Sequence, residues 1–318
     1  MDRFLLMHCY VRAVETGSFS AVARELSTGQ PNISRNIAAL EQHLGTRLLH
    51  RSTRKLTPTP EGERYYAEVR RVLDAAEEAD ANARGEGKPG GLLRVSCSTL
   101  LGREHLLPHI GALLGRYPSI ELDLQLSDRY IDLVEGGVDL AIRIGTLEDS
   151  ALRARRIGMS ERVCVASNAY LARRAAPQTP ADLHQHNCIV YTLMNSGISW
   201  RFREGEVPVH GSFRSNTLDG VYRAVMDGLG IGYGPQWMFE REILDGSVKM
   251  LMAEHYPPAV PINIIYSTHR LLPRRAVVFM DFIAEVFGRD PTMQEGALAR
   301  LSERLTKTNN KKKRLANQ

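Results

Sequence analysis

Gln30, Asn32, Ser34 and Arg35 fall within six consecutive positions near the start of the chain, with Pro31 among them. Side-chain amides, a hydroxyl and a guanidinium are the donors and acceptors that match base edges, and arginine also pairs with phosphate. Further along, "RLLHRSTRKLTPTPEG" places Arg51, Arg54 and Lys55 around an expected turn between two short extended pieces. A basic loop of that kind neutralises phosphates. Other constellations carry less. "HQHNC", His184 to Cys188, has metal-ligating residue types, but such short spacing beside an expected strand completes no ligand set. "GLGIGYGP" is glycine-rich without being G-x-G-x-x-G, and no acidic ribose partner follows it. No Ser-His-Asp signature or P-loop occurs, and the order of serines, histidines and acids nominates no nucleophile. The expectation is a binding protein without catalytic residues, cofactor or metal.

The elements that position these groups follow from apolar spacing. Phe19, Val22, Ala23 and Leu26 obey the i, i+3, i+4, i+7 rule of one helix face, and so do Ile33, Ile37, Leu40 and Leu44. "STG" interrupts the two runs, and Pro31 suits the first turn of the second. An earlier helix carries Phe4, Met7, Val11 and Val14. On a helical wheel Ile37, Leu40 and Leu44 fall within about 40° of Ile33, while Arg35 lies nearly opposite and Asn32 and Ser34 flank it at about 100°. The first turn thus turns small polar groups and one arginine outward, as a recognition helix in a major groove requires. An ordinary amphipathic helix with a solvated polar face satisfies the same geometry.

Totals bound the alternatives. The chain has 318 residues, 43% apolar and 24% charged, which describes a folded chain with room for two or three domains. Its formal charge of +5 is uneven. Residues 1–59 hold eight Lys or Arg against four acids, and a second excess lies in the last residues, "TKTNNKKKRLANQ". No signal peptide or membrane span is expected, which points to the cytoplasm. Cys9, Cys97, Cys164 and Cys188 are widely separated and read as buried free thiols.

"GSFSAVARELSTGQPNISRNIAALEQHLGTRLLHRSTRKLTPTPEG" resembles the DNA-binding domain of LysR-type transcriptional regulators. The shared features are Ser-Phe-Ser opening the second helix, "QPNIS" opening the third, Leu40-Glu41, Leu44-Gly45, Arg51, Thr59 and Gly62. The resemblance extends to about Phe287. Gly29, Leu49 and Val22 depart from the residues usual at those positions. The resemblance implies double-stranded promoter DNA as partner, with Gln30, Pro31, Asn32, Ser34 and Arg35 in the major groove and Arg51, Arg54 and Lys55 on the backbone. It also implies a dimer of dimers that bends DNA.

Four segments are expected. Residues 1–59 form a winged helix-turn-helix. Residues 60–91 form a long linker helix and hinge, with Thr59 capping and Pro60 in the first turn. Its stripe of Tyr66, Val69, Leu73, Ala76 and Ala83 pairs with a second chain or packs on its own body. Residues 92–290 alternate strands and helices, including a helix at "RYIDLVEGG", which argues for a parallel sheet with covered faces. The chain leaves this sheet, builds a second and returns, so 92–163 plus 266–290 make one lobe and 164–265 the other. This α/β body looks like the periplasmic-binding-protein fold that the family uses to hold a small effector. Residues 291–318 read as a basic, disordered tail.

Ligands of open α/β sheets sit beyond the strand carboxyl ends, where helix N-termini converge. That rule selects Ser98, Thr99, Ser127 and Asp128, then Arg143 and Gly145. Asn195, beside Leu193 and Met194, faces them from the other lobe, and Tyr233 closes the wall. Hydroxyls and helix N-termini suit a carboxylate or another polar anion, although each residue also fits a capping or loop role. Two rivals stand beside this reading: an enzyme or solute-binding protein using the two-lobed body, and an architectural DNA coat without effector.

Overall fold

The structure is a computed structural model that describes residues 2–51, 56–83, 89–129, 133, 137–146, 152–193, 198–267 and 272–316. The chain divides into two compact units, the first mainly Met1–Gly91 and the second beginning at Leu92.

In the first unit, α1 (Arg3–Thr16) starts at Asp2, whose carboxylate accepts from Phe4 N at 2.9 Å and from Leu5 N at 3.3 Å. It ends at Gly17, whose φ of 63° lies in the left-handed region that glycine adopts without strain. α2 (Phe19–Glu25) is capped by the Ser18 hydroxyl, which accepts from Ala21 N. α3 (Gln30–Leu44) follows after a tight turn, with Pro31 in its first turn. β1 (Leu49–Arg51) and β2 (Leu56–Pro58) form an antiparallel hairpin, Leu49 opposite Pro58. Val22, Ile33, Ile37, Leu40 and Leu49 close one core, each large aliphatic contributing about 1.5–3 kcal/mol by leaving water. Phe4 departs from its expected place on the buried stripe: it is 52% exposed. Leu5 beside it is exposed too, whereas Leu6 and Met7 are buried, so the first turn projects beyond the core.

α4 (Pro60–Ala83) is launched by Thr59, whose Oγ1 accepts from Gly62 N at 2.9 Å and donates to Arg47 O at 2.8 Å. Tyr65, Tyr66, Val69 and Leu73 pack onto the core of the same unit, while Val72 stays exposed. The early part of the expected dimer stripe is therefore covered by its own chain.

The second unit opens with β3 (Gly91–Cys97), then α5 (Thr99–Leu101), which runs through a π-helical turn (Gly102–Leu106) into α6 (Leu107–Arg116). β4 (Ile120–Leu126), β5 (Leu140–Ile144) and β6 (Leu152–Ser160) complete the outward path. The second lobe contains β7 (Arg162–Ser167), α7 (Asn168–Leu171), β8 (Val190–Tyr191), β9 (Ser199–Phe202), β10 (Gly205–Pro208), β11 (Arg214–Ser215), α8 (Leu218–Met226), β12 (Gly232–Pro235), α9 (Glu240–Asp245) and β13 (Val248–Leu251). The chain returns through β14 (Val260–Ser267), α10 (Arg274–Arg289) and α11 (Ala297–Ala316).

The first lobe holds a five-stranded sheet in the order β4-β3-β5-β14-β6. β3 and β5 are parallel, but β14 runs antiparallel to both neighbours, so the sheet is mixed rather than wholly parallel. Apolar runs announce a strand without announcing its direction. The second lobe is built on β12-β7-β13, antiparallel throughout. Two lobe boundaries shift from those expected. β14 pairs with β6 from Val260 onward, earlier than residue 266, and β7 already belongs to the second sheet at Arg162. Most of the helix expected at "RYIDLVEGG" lies outside the described residues.

The last residues correct a further expectation. Residues 297–316 are helical rather than disordered. Ala297 and Leu301 are buried, Leu305 and Thr308 are half-buried on the same stripe, and Leu298 N donates to Glu161 Oε2 at 2.7 Å. The lysine run farther along dominates the composition and hides that apolar spacing.

Candidate nucleic-acid interface and ligand cleft

The buried face of α3 decides what its other face offers. Ile33, Ile37 and Leu40 are fully buried, which leaves Gln30, Pro31, Asn32 and Arg35 exposed and Ser34 half-buried. The exposed side chains are tied together. Arg35 Nη2 donates to Asn32 Oδ1 at 2.7 Å, Asn32 Nδ2 donates to Thr28 Oγ1 at 2.9 Å, and Ser20 Oγ donates to Gln30 Oε1 at 3.1 Å. Such bonds restrict rotamers before any partner arrives, lowering the entropy lost on binding. Ser20 and Thr28 escaped sequence reasoning, although Thr28 stands four positions before Asn32. Gly29 gives α3 no side-chain cap. Pro31 has no N–H and Asn32 N donates to Gly29 O at 2.9 Å, so in the first three positions of this 15-residue helix only the Gln30 amide is left for a partner.

Glu41 holds the hairpin against α3, since its Oε1 accepts from Leu48 N at 2.9 Å and from Leu49 N at 3.2 Å. Arg51 belongs to β1 opposite Leu56. Arg54 and Lys55 lie outside the described residues, as does the side chain of Arg51.

In the second unit, Ser98, Thr99, Ser127 and Arg143 gather at the carboxyl ends of β3, β4 and β5. The register that sets Cys97 beside Ile142 brings Ser98 and Arg143 into one neighbourhood. Arg143 Nη2 donates to Ser96 Oγ at 2.8 Å, and Ser127 Oγ accepts from Arg129 N at 3.3 Å. Ser98 Oγ is buried and has no hydrogen-bond partner among the described residues. A buried hydroxyl in that state carries a desolvation cost that a ligand can relieve.

Asp128 links the two lobes. Its Oδ1 accepts from Thr99 N at 2.7 Å, and its Oδ2 accepts from Leu218 N at 3.3 Å, so one carboxylate joins the starts of α5 and α8. Arg103 adds a second tie through an ion pair with Asp219 of α8. Tyr191, absent from the expected set, belongs here. Burial pushes its phenol up, Asp128 adds to that, and Arg162 and Arg143 oppose it. Its place at the end of "CIVY" was the available signal. Asn195 lies outside the described residues.

Tyr233 does not line this cleft. It is 2% exposed, stacks on Trp200 at 5.3 Å between ring centres, and donates from its hydroxyl to Arg201 O at 2.5 Å. Burial pushes its phenol up to about 12. The expected place in the cleft wall fails because this strand packs tightly: a Cβ on Gly232 would come within 2.3 Å of Val225 Cγ2. The flanking glycines are there for close strand–helix packing.

"HQHNC" is also structural: His186 Nδ1 lies 3.0 Å from Tyr170 Oη, and Cys188 Sγ donates to Leu183 O at 3.8 Å. All four cysteines are buried and free. Burial pushes the Cys97 and Cys188 thiols up to about 12 and raises Cys9 and Cys164 as well, which keeps them protonated at neutral pH. A cavity of about 870 Å³, lined by Leu100, His105, Tyr222 and Trp237 among others, takes in none of the expected effector residues. Several charges on its wall are already matched, His105 with Asp290 and Arg304 with Glu240.

Known proteins share this organisation. Residues 4–63 match the description "Bacterial regulatory helix-turn-helix protein, lysR family", and residues 86–288 match "LysR substrate binding domain". The HTH-type transcriptional regulator CrgA of Neisseria meningitidis serogroup C (strain 8013) is 33% identical over 287 residues, spanning 88% of this chain and 96% of CrgA. A solved CrgA structure is similar with a TM-score of 0.58 at 32% identity, covering 88% of this chain and 97% of that one. The full-length virulence activator AphB of Vibrio cholerae gives 0.54 at 29% identity, covering 88% and 98%.

Proposed function

This chain belongs to the LysR family of helix-turn-helix transcriptional regulators, and from that premise we propose how its residues divide the work. The family is one of DNA-binding regulators with an effector-binding domain, not of enzymes. α3 enters the major groove of operator DNA with Gln30, Pro31, Asn32, Ser34 and Arg35, while Arg51, Arg54 and Lys55 grip the phosphates. One observation carries this assignment: the face opposite Ile33, Ile37 and Leu40 is exposed, polar and braced by its own hydrogen bonds.

The effector belongs between the lobes, against Ser98, Thr99, Ser127 and Arg143, with Asn195 from the opposite wall. Its class is a small carboxylate or another polar anion. The guanidinium of Arg143 and the unpartnered Ser98 hydroxyl favour it, and it competes with Asp128 for the amides of Thr99 and Leu218. A ligand that prefers one lobe arrangement shifts the population toward it. The chain self-associates as a dimer, or as a tetramer that bends promoter DNA, presenting paired units to an interrupted two-fold site. It acts in the cytoplasm; among the described residues no helix is long and apolar enough to cross a membrane.

Genome-wide footprinting with the purified chain tests the reading. Discrete protected sites are expected, with Arg35→Ala weakening the preference for them more than Arg54→Ala does. Uniform coverage of all sequences supports the architectural coat instead, and turnover of a metabolite supports an enzyme.

A further inference from the structure

We propose that Glu15 is a positioning residue for DNA reading, locking α4 to the helix-turn-helix and thereby fixing the half-site spacing that a dimer accepts. The inference rests on the dimer reading above, and its starting point is a single carboxylate. Glu15 Oε1 accepts from Tyr66 Oη at 2.9 Å and from Arg70 Nη1, both on α4. Glu15 Oε2 accepts from Arg12 Nη1, one turn back on α1. Arg12 then spends its other edge on Glu25 at the end of α2: Nε donates at 2.8 and 3.0 Å and Nη2 at 2.9 Å. Arg70, Glu15, Arg12 and Glu25 form an alternating chain of two positive and two negative charges across three helices.

Exposed ion pairs contribute little when they are single and mobile. This chain is neither. Only 19% of the Arg70 side chain and 21% of Glu15 remain accessible, and although Arg12 and Glu25 are more open, at 32% and 38%, they meet edge-on through two nitrogens. α2, at the far end, packs directly on α3. A rotation of α4 is therefore passed to α1 and α2 through directional bonds, and from them to the recognition helix through packing.

The other attachments of α4 constrain it differently. Tyr10 Oη donates to Gly62 O at 2.8 Å, which anchors only the first turn. Tyr65, Val69 and Leu73 are held by non-directional apolar packing, which tolerates small rotation. Tyr66 and Arg70, one turn apart, are the positions where directional bonds tie the middle of the helix to α1; Asp74, one turn farther on, accepts instead from Arg275 Nη2 at 3.0 Å. Glutamine at position 15 keeps the size but offers two donors and one neutral acceptor to two guanidiniums and a phenol, so the lock opens while the core is untouched.

The test uses the full chain, native and Glu15→Gln, with three duplexes built on a footprinted site. One has the natural spacing, one has two base pairs inserted between the half-sites, and one has a single half-site. Binding is read by fluorescence anisotropy at low salt. Native protein is expected to prefer the natural spacing at least tenfold over the insertion. Glu15→Gln is expected to lose most of that ratio while its half-site affinity stays within about twofold, and Tyr66→Phe, removing one bond, is expected to fall between. A spacing ratio unchanged in Glu15→Gln overturns the proposal, as does an equal loss on all three duplexes, which signals general damage to the fold. Native protein that shows no spacing preference and sediments as a monomer refutes the dimer reading, and the proposal with it.

Discussion

Arg35 reaches the surface of α3 already bonded to Asn32, so its guanidinium has fewer rotamers left to fix when a partner binds. If it reads a base, Arg35→Ala removes discrimination worth about 1–3 kcal/mol, roughly a five- to 150-fold loss of preference for operator over random DNA. Arg54→Ala, a phosphate contact in this reading, should weaken both duplexes alike and lower the salt dependence. Competition binding at two salt concentrations separates them, and equal losses on both DNAs from both variants argue against the assignment. Asp290 bears on stability instead. Burial alone raises its carboxyl, but hydrogen bonds from His105 and Thr292 outweigh that and hold it at about 2. The folded value lies below the unfolded one of roughly 3.9, so the stabilisation is complete above about pH 4 and is lost as pH falls toward 2. Thermal melts across that window should show a shallower decline for Asp290→Asn than for the native chain. Matching slopes would mean other carboxylates govern acid unfolding.

At the scale of elements, the joint between hairpin and α4 is the least forgiving place. A Cβ on Gly62 would lie 2.1 Å from Leu48 O and 2.9 Å from Tyr10 Oη, and the backbone oxygen cannot swing away as a side chain can. Gly62→Ala should destabilise the first unit by about 1–3 kcal/mol, read as a lower urea midpoint. Gly29→Ser is the contrasting case: its Cβ meets only Pro31 Cδ at 3.6 Å, an ordinary contact, and the new hydroxyl caps α3. A stability gain of a few tenths of a kcal/mol is expected there, read as a higher urea midpoint. α3 itself was legible because Ile33, Ile37 and Leu40 repeat at helical spacing around one stripe. α11 was not, since its charges outnumber the Ala297–Leu301 stripe that docks it.

Across the whole molecule, the second unit depends on how its lobes are tied. Asp128 accepts from the first amides of both α5 and α8, and charge-assisted bonds of that type are roughly twice as strong as neutral ones. Asp128→Asn replaces one acceptor oxygen by a donor that faces a donor. The effector-free lobes should then open, raising the radius of gyration in solution scattering and altering the effector response, with little change in DNA affinity of the first unit. Unaltered scattering would show that Arg103 and Asp219 suffice to hold the lobes.

Sequence alone determined what depends on neighbours a few positions away. The stripes of α2 and α3, the cap at Thr59, the polar turn carrying Gln30, Asn32 and Arg35, and the alternating body all follow from short-range spacing. Tertiary structure decided everything set by partners far along the chain. The direction of β14, the buried fate of Tyr233 against Trp200, and the joining of Asp128 to Leu218 across 90 positions belong to that class. Periodicity reports which face of an element is apolar, but only packing determines which other element covers that face.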